Sequence, residues 1–299
     1  MQKVNKVLKK YALKPHRYQK EGQVTFVDTE EGRYAIKPKK SSENNIYRYL
    51  DTRSFGYYPK VLSEDDDEFE ITEYEEDFDV PSEQKILDLV DLVSLLHNKT
   101  THYKEVDEAD YKKIFEDISN NIEYLYSDYN DRMNIIESHI YMSPSEYLLA
   151  RNISKIYAAL GYAKKELDNW YHLVSELRKE RLVVIHNNLD LTHFIRNKNS
   201  YLTSWRKARI DMPIFDLYKL YLHHSLEFDF YEVLRRYEKN YPLKEEERKL
   251  LFILIALPDK LELTDSEYQN CNLIGNLVDR LYKTEGLLSP YYMKQEKNG

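Results

Sequence analysis

Hydrophobic and polar residues alternate in the first quarter of the chain, as is typical of β-strands. Residues 17–37 contain two β-rich runs on either side of the cluster Asp28-Thr29-Glu30-Glu31-Gly32, which predicts a tight turn between two strands. Residues 60–63 and 69–74 predict a further strand pair, with the sequence SEDDDE as its exposed tip. The pattern therefore predicts a small antiparallel sheet within residues 1–76.

Two helices are predicted to accompany this sheet. Residues 2–12 place Val4, Val7, Leu8 and Tyr11 on one helical face and lysines on the other. Such a helix can cover the edge of the following domain, which we favour, or lie on a membrane surface. A second helix is predicted from Glu43 to about Phe55, with Ser41 or Ser42 as its N-cap.

Beyond residue 81 the hydrophobic spacing is helical. Pro81-Ser82-Glu83 begins one predicted helix. Residues 144–180 carry apolar residues at alternating steps of four and three, which predicts one long helix, or two broken near Gly161, inside a helical domain. A coiled coil would give the same pattern. We therefore predict an α+β fold with a sheet-rich lobe over residues 1–76 and a helical lobe over residues 77–299.

Composition narrows the class of protein. Hydrophobic residues make up 42% and charged residues 32% of the chain, as in soluble globular proteins. No apolar run is long enough for a membrane span, and the N-terminal residues do not resemble a signal peptide. The single cysteine, Cys271, excludes an internal disulfide and fits a reducing compartment such as the bacterial cytoplasm.

Charge is distributed unevenly along the chain. The net charge of −8 argues against a nucleic-acid partner. The first twenty residues contain seven Lys or Arg, whereas Glu64 to Asp79 contains eleven Asp or Glu. The simplest interpretation is two solvated surfaces.

Short apolar runs separated by polar turns interrupt the helical pattern near residue 190. Residues 183–195 read VVIHNNLDLTHFI, and residues 201–221 read YLTSWRKARIDMPIFDLYKLY. This insert resembles the catalytic core of aminoglycoside phosphotransferases and choline kinases, whose pattern is roughly h-h-H-G-D-x-x-x-x-N-h-h (h, apolar), then a strand and D-x-P-x-x-D-L. His186 matches the motif histidine, and Asp211, Pro213 and Asp216-Leu217 match the final element. The resemblance implies a protein-kinase-like bilobal fold.

Other segments match the same family in the same order. Tyr34-Ala35-Ile36-Lys37 resembles the strand of the phosphate-binding lysine, Glu43 could be the helix partner of that lysine, and residues 69–74 resemble the strand that enters the hinge at Tyr74. Residues 95–100 resemble the L-x-x-L-H segment of the family. Residues 249–260 are similar to a late helix of spore-coat relatives, so the chain most resembles the spore-coat kinase-like proteins of CotS and YutH type.

The resemblance also reveals three replaced catalytic positions. A working member needs a catalytic Asp, a metal-holding Asn and a metal-holding Asp, and the aligned residues here are Asn188, His193 and Ser204. Asn188 cannot act as a general base, His193 is a poor ligand for Mg²⁺, and Ser204 removes a negative charge. Arg206 stands where the family often has a second acid. These replacements predict no metal site.

The nucleotide-binding positions are only partly kept. Residues 15–28 contain one glycine, Gly22, so few backbone N–H groups can wrap a triphosphate. Lys37 is either the family lysine or a surface lysine, and Glu43 is either its partner or an acid that favours a helix N-terminus. No cofactor is therefore expected.

Two of the aligned residues, His186 and Asp216, are predicted to have structural roles. Two further acids could still support catalysis. His186 should be buried beneath the catalytic loop, and Asp216 should accept backbone N–H bonds from residues 186–190. Asp190 and Asp211 lie close enough in sequence to Asn188 and Ser204 to substitute for the missing acids.

Three functional hypotheses follow. The first is a pseudokinase that binds or scaffolds other proteins, associated with a bacterial spore coat. The second is an ATP- and Mg²⁺-dependent phosphotransferase with displaced metal ligands, acting on a small-molecule hydroxyl group. The third is a structural coat component cross-linked through its 28 tyrosines.

Overall fold

The structure is a computed structural model and describes residues 2–39, 46–63 and 68–296. The predicted Ser41 or Ser42 cap and Glu43 lie outside the described residues. The chain divides into two compact units, Met1–Thr100 with His186–Arg209 and Thr101–Ile185 with Ile210–Gly299. The first unit extends past residue 76, and the lobe boundary at that residue stays a prediction.

The element bounds follow the chain order. The helices are α1 (Gln2–Lys10), α2 (Ile46–Thr52), α3 (Ser82–Thr100), α4 (Glu108–Ser138), α5 (Pro144–Val174), α6 (Ile214–His224), α7 (Phe230–Asn240), α8 (Glu245–Ala256) and α9 (Glu267–Glu296). The strands are β1 (Pro15–Glu21), β2 (Val24–Thr29), β3 (Gly32–Pro38), β4 (Phe69–Glu73), β5 (His102–Glu105), β6 (Lys179–Ile185), β7 (Phe194–Ile195), β8 (Tyr201–Leu202) and β9 (Arg209–Asp211). Single 3-10 turns lie at Leu191–His193 and Trp205–Lys207.

Strands β1 to β4 form an antiparallel sheet in sequence order, as predicted. The pairing of Glu21 with Val24 leaves a two-residue turn between β1 and β2, in which Gly22 has a φ of 58°. The predicted pairing of residues 60–63 with β4 is present only as a single bridge, in which Val61 lies opposite Thr72 between two backbone bonds, from the Leu62 N–H to the Ile71 carbonyl and from the Glu73 N–H to the Lys60 carbonyl. The Ile71 N–H donates to the Ser63 hydroxyl there, so a side chain takes the place of a ladder bond.

The two faces of this sheet have different roles. On β3, Tyr34 and Ile36 point into a hydrophobic cluster with α1, and Ala35 and Lys37 therefore point to the opposite face. The cluster consists of Val4, Leu8, Leu13, Val27, Tyr34, Ile36 and Ile71. The apolar face of α1 is thus buried against one face of the sheet.

Residues 186–209 pack with the sheet-bearing unit through side-chain and backbone bonds. Arg196 Nε donates to Asp88 of α3 over 2.5 Å, and the Leu202 N–H donates to the Tyr57 carbonyl over 2.9 Å. These bonds fix the strand pair β7–β8 beside α3.

The second unit is mainly helical. Helix α5 runs through Gly161 without a break, and its N-terminus has a capping box formed by Ser143 and Glu146. It packs against α4, α8 and α9, which bury the periodic apolar residues within this unit. Strands β5, β6 and β9 form a small sheet here. The predicted α+β class, with a small antiparallel sheet and a larger helical part, is confirmed.

Within the described residues, no helix is both long enough and apolar enough to cross a lipid bilayer.

Candidate functional site

A cleft of about 700 Å³ lies entirely within the first unit, against the sheet face opposite α1. Phe26, Ala35 and Thr72 are cross-strand partners on that face and form one row of its wall. Lys37 pairs with Glu70 in the next row. The alternation of β3 that buries Tyr34 therefore also directs Lys37 into the cleft.

The opposite wall comes from residues 188–207. The two walls together bring most of the residues that the sequence singled out into one cleft, which is lined by Lys37, Tyr74, Asn188, His193, Ser204 and Arg206. Asp190 is not among the lining residues. The sheet wall and this loop wall thus place the aligned lysine and the three replaced positions around one cavity.

The loop that carries Asn188 is held by His186 and Asn187. The His186 side chain is completely buried, its Nε2 donates to the Thr203 carbonyl over 2.8 Å, and its ring meets Trp205 edge-on at 4.9 Å. Asn187 has a φ of 56°, a conformation that glycine and asparagine adopt most readily, and it occupies the glycine position of the motif. Its Nδ2 donates to the Lys207 carbonyl over 3.1 Å, which ties the loop to the 203–207 segment.

Lys37 contacts the position aligned with the metal-holding Asp. Its Nζ donates to Ser204 Oγ over 3.2 Å. Burial lowers the pKa of Lys37, Arg206 lowers it further, and Glu70 opposes the change. Ser204 itself has a φ of 66°, an uncommon conformation for a residue other than glycine.

Asn188, at the position of the catalytic Asp, is bonded to a second ammonium group. Lys207 Nζ donates to Asn188 Oδ1 over 3.0 Å. Asn188 Nδ2 lies 3.1 Å from His193 Nδ1, and that ring nitrogen lies 2.9 Å from the Asn188 carbonyl oxygen. Asn188 therefore accepts from Lys207 and bonds to His193, whose Nδ1 either accepts from the Asn188 amide or donates to its carbonyl oxygen, according to the tautomer.

The side chains at the three aligned positions do not offer the ligands that a magnesium ion prefers. Mg²⁺ binds through carboxylates and other hard oxygen ligands, whereas the aligned positions offer an amide, an imidazole and a hydroxyl. Two of these, Asn188 and Ser204, accept hydrogen bonds from lysines. The part of the chain that the structure describes also holds no cluster of three or more His, Cys, Asp or Glu placed to bind a metal.

Carboxylates line the cleft at its hinge-side end. Glu73 forms an ion pair with Lys60 at 3.0 Å, and Asp77 forms one with Lys85 at 2.5 Å. Glu75 accepts a hydrogen bond from Asn197 over 3.0 Å. Each of these carboxylates therefore has a partner from the protein.

Tyr74 lies beside these acids at the predicted hinge. Its ring packs edge-on against Phe26 at 5.6 Å, and the Arg33 guanidinium lies 4.4 Å from its centre. Its role in binding a ligand stays a prediction.

The two acids that could replace the missing carboxylates have local bonds. Asp190 Oδ1 accepts from the Thr192 N–H over 2.8 Å and from its hydroxyl over 2.7 Å, and so caps the 191–193 turn. Asp211 belongs to the second unit, where its carboxylate accepts from the Met212 N–H over 2.8 Å. Asp216 is completely buried in that unit, and its predicted bonds to residues 186–190 stay a prediction.

Sequence reasoning missed Lys207. The run Trp205-Arg206-Lys207-Ala208-Arg209 carries a visible excess of positive charge, and only Arg206 was aligned with a family position. The 3-10 turn at Trp205–Lys207 brings Lys207 to Asn188, nineteen residues earlier in the chain. The basic run was the signal that could have identified it.

No protein-family model matches this sequence, and no curated protein matches it either. Solved structures do resemble it. An aminoglycoside phosphotransferase from Alicyclobacillus acidocaldarius has a TM-score of 0.70 at 10% identity, over 95% of this chain and 93% of that chain.

Two further solved structures are similar. The choline kinase LicA from Streptococcus pneumoniae has a TM-score of 0.50 at 17% identity, over 97% of this chain and 99% of that chain. A spectinomycin phosphotransferase in complex with ADP and spectinomycin has a TM-score of 0.52 at 12% identity, over 95% and 98% of the two chains. At these identities the likeness is one of fold. The predicted protein-kinase-like fold of aminoglycoside and choline phosphotransferases is confirmed.

Proposed function

We propose that this chain is a pseudokinase, a kinase-fold protein that binds a ligand or partner without carrying out Mg²⁺-dependent phosphoryl transfer. The observation that carries the proposal is the pair of bonds from Lys207 to Asn188 and from Lys37 to Ser204. At both positions where the fold family is expected to have an acid, this chain has a neutral side chain that accepts a hydrogen bond from a lysine of the same chain.

The charges around these positions oppose a divalent ion. A dication about 4 Å from one ammonium would be repelled by roughly 8 kcal/mol at an effective dielectric constant of about 20. Arg206 on the same wall adds a third positive charge. The amide of Asn188 also has no basic oxygen to accept the proton of an attacking hydroxyl group.

The two-residue turn between β1 and β2 supports the same proposal. Phosphate-binding loops surround an anion with several consecutive backbone N–H groups. A turn of Gly22 and Gln23 offers few of them. Triphosphate binding through backbone N–H groups is therefore weak in this chain.

The proposal is tested by measuring transfer of labelled phosphate from ATP, with Mg²⁺ or Mn²⁺, to small-molecule hydroxyl acceptors and to water. We expect no protein-dependent transfer. Metal-dependent transfer that is lost in Asp190→Ala or Asp211→Ala would support the phosphotransferase with displaced ligands instead, with ATP and Mg²⁺ as its cofactors. The bonds of Asp190 within its own turn do not favour that alternative.

The partner and location rest on the sequence resemblance alone. We propose that the chain binds other proteins and is deposited from the bacterial cytoplasm onto a spore coat, because residues 249–260 and the order of the motifs resemble spore-coat kinase-like proteins. A fluorescent fusion followed through sporulation tests this. A signal that stays diffuse, without a coat ring, would contradict it.

A further inference from the structure

We propose that the cleft of the first unit binds a phosphorylated ligand directly through Lys37, Arg206 and Lys207, without a divalent cation. The inference rests on the proposed function, since it assigns to these side chains the charge that metal ions supply in a working kinase. The ligand class is an ester of phosphate, diphosphate or triphosphate whose organic part is apolar or planar.

Positive charge dominates the loop wall, where Arg206 and Lys207 stand, whereas Lys37 on the sheet wall has Glu70 as its cross-strand partner. Within the described residues, Lys37 and Lys207 donate to the neutral oxygens of Ser204 and Asn188, and Arg206 forms no ion pair. The carboxylates Glu73 and Asp77 at the other end of the cleft are paired with lysines outside this group. The loop wall therefore carries uncompensated positive charge, which favours an anionic ligand.

Arg206 and Lys207 stand on a segment that is already fixed. Trp205 is buried, and its indole N–H donates to the Leu202 carbonyl over 2.8 Å. The bonds from His186 to Thr203 and from Asn187 to Lys207 hold the two ends of the turn. On this wall, binding an anion therefore orders only the ends of two exposed side chains, which lowers the entropic cost of binding.

The remaining walls fit the organic part of such a ligand. Val24, Phe26 and Ala35 on the sheet face Leu191 and Phe194 on the loop wall as lining residues of the same cavity. A volume of about 700 Å³ holds a ligand larger than free phosphate. Apolar walls with one cationic side are suited to an ester that has a charged and an uncharged end.

The state of Lys37 agrees with this assignment. Burial and the charge of Arg206 lower its pKa in the free protein. An anion beside Lys37 would favour the charged form, so ligand binding should be accompanied by proton uptake at alkaline pH.

The experiment is calorimetric titration of the full chain with ATP, pyrophosphate and adenosine, first in EDTA and then with excess Mg²⁺. We expect ATP and pyrophosphate to bind in EDTA, adenosine to bind at least tenfold more weakly than ATP, and Mg²⁺ to weaken ATP binding because it neutralises phosphate charge. Arg206→Gln and Lys207→Gln should each lower ATP affinity about tenfold or more, since each removes a charge-assisted bond. Lys198→Gln, an exposed lysine that does not line the cleft, is the matched control and should leave affinity unchanged.

The outcomes separate this inference from the proposed function. Binding of neither phosphate ligand in EDTA, or equal affinity in the wild type and the Arg206→Gln/Lys207→Gln double variant, would overturn the anion site and leave the pseudokinase proposal standing. Binding that requires Mg²⁺ and is followed by phosphate transfer would overturn both. Melting temperatures of the variants, expected to match wild type because both side chains are exposed, confirm that the fold is intact.

Discussion

Lys207 donates a hydrogen bond from its ammonium group to the side-chain oxygen of Asn188, and the two atoms lie 3.0 Å apart. Asn188 is aligned with the catalytic acid of the family, whereas Lys207 does not align with any of its motif residues. An aspartate at residue 188 would neutralise this lysine, whereas the asparagine leaves its charge available to a ligand.

Asn188→Asp should therefore form an ion pair with Lys207. Because the pair is partly exposed, we expect a gain in stability of about 0.2–1 kcal/mol. We also expect weaker binding of pyrophosphate in EDTA, since the new carboxylate both neutralises Lys207 and repels the anion. Denaturation and calorimetric titration measure the two effects, and Asn188→Asp with Lys207→Met should lose the gain in stability. Tighter pyrophosphate binding by Asn188→Asp would contradict the account.

Lys37→Met tests the buried charge through the pH dependence of stability. The pKa of Lys37 is lowered by burial, so in the window between its folded and unfolded values the unfolded chain binds more protons, and stability rises with pH there. Burying the charged Lys37 destabilises the fold by its full amount when the pH lies below the pKa of Lys37 in the folded protein. This destabilisation disappears as the pH rises towards 10.5, the ordinary pKa of lysine.

Denaturant unfolding at a series of pH values from neutral to 10 provides the measurement. Lys37→Met should have a higher free energy of unfolding than wild type at neutral pH, and this difference should become smaller as pH rises. Lys198→Met, at an exposed site, should show no such trend. A difference between Lys37→Met and wild type that is constant with pH would argue against a charge cost at Lys37.

Asn187 allows a test of the loop backbone with a matched pair. Its φ of 56° costs an alanine about 1 kcal/mol or more, and glycine pays no such penalty. Both Asn187→Ala and Asn187→Gly lose the bond to the Lys207 carbonyl. The alanine variant should therefore melt below the glycine variant, and equal melting temperatures would mean that the loop relaxes to another conformation.

Much of the fold could be predicted from local patterns. The alternation of Tyr34 and Ile36 with Ala35 and Lys37 predicted a strand, and it also determines which face of the sheet is buried against α1. The unbroken periodicity around Gly161 left one helix or two as alternatives, and burial of the seam by α4, α8 and α9 explains the single helix.

The contacts of the site could not be predicted in the same way. The bond between Lys207 and Asn188 depends on the left-handed conformation of Ser204 and on the turn after it. Neither feature can be recognised from the spacing of hydrophobic residues in the sequence. Residues 60–63 had the composition of a strand, yet the Ser63 hydroxyl accepts the Ile71 N–H in place of a backbone group. Such bonds depend on tertiary positions that local propensity does not encode.

Restoring the family acids should not be enough to restore metal binding. Asn188→Asp, His193→Asn and Ser204→Asp together add two carboxylates, but Lys207 and Lys37 lie within bonding distance of the two positions. We expect Mg²⁺ to stabilise this triple variant no more than wild type. Adding Arg206→Asp and Lys207→Met removes two competing charges, so Mg²⁺ should then raise the melting temperature. A clear Mg²⁺ response in the triple variant alone would mean that the lysines do not exclude the ion.

The most direct measurement is the melting temperature of the wild-type chain with ATP, in EDTA and in the presence of Mg²⁺ or Mn²⁺. A ligand that binds the folded state raises this temperature, and the increase grows with the ligand concentration relative to its Kd. Because Lys37, Arg206 and Lys207 replace the charge of the metal ions, we predict stabilisation by ATP in EDTA that either metal reduces. Stabilisation by ATP that appears only with Mg²⁺ or Mn²⁺ would contradict the account.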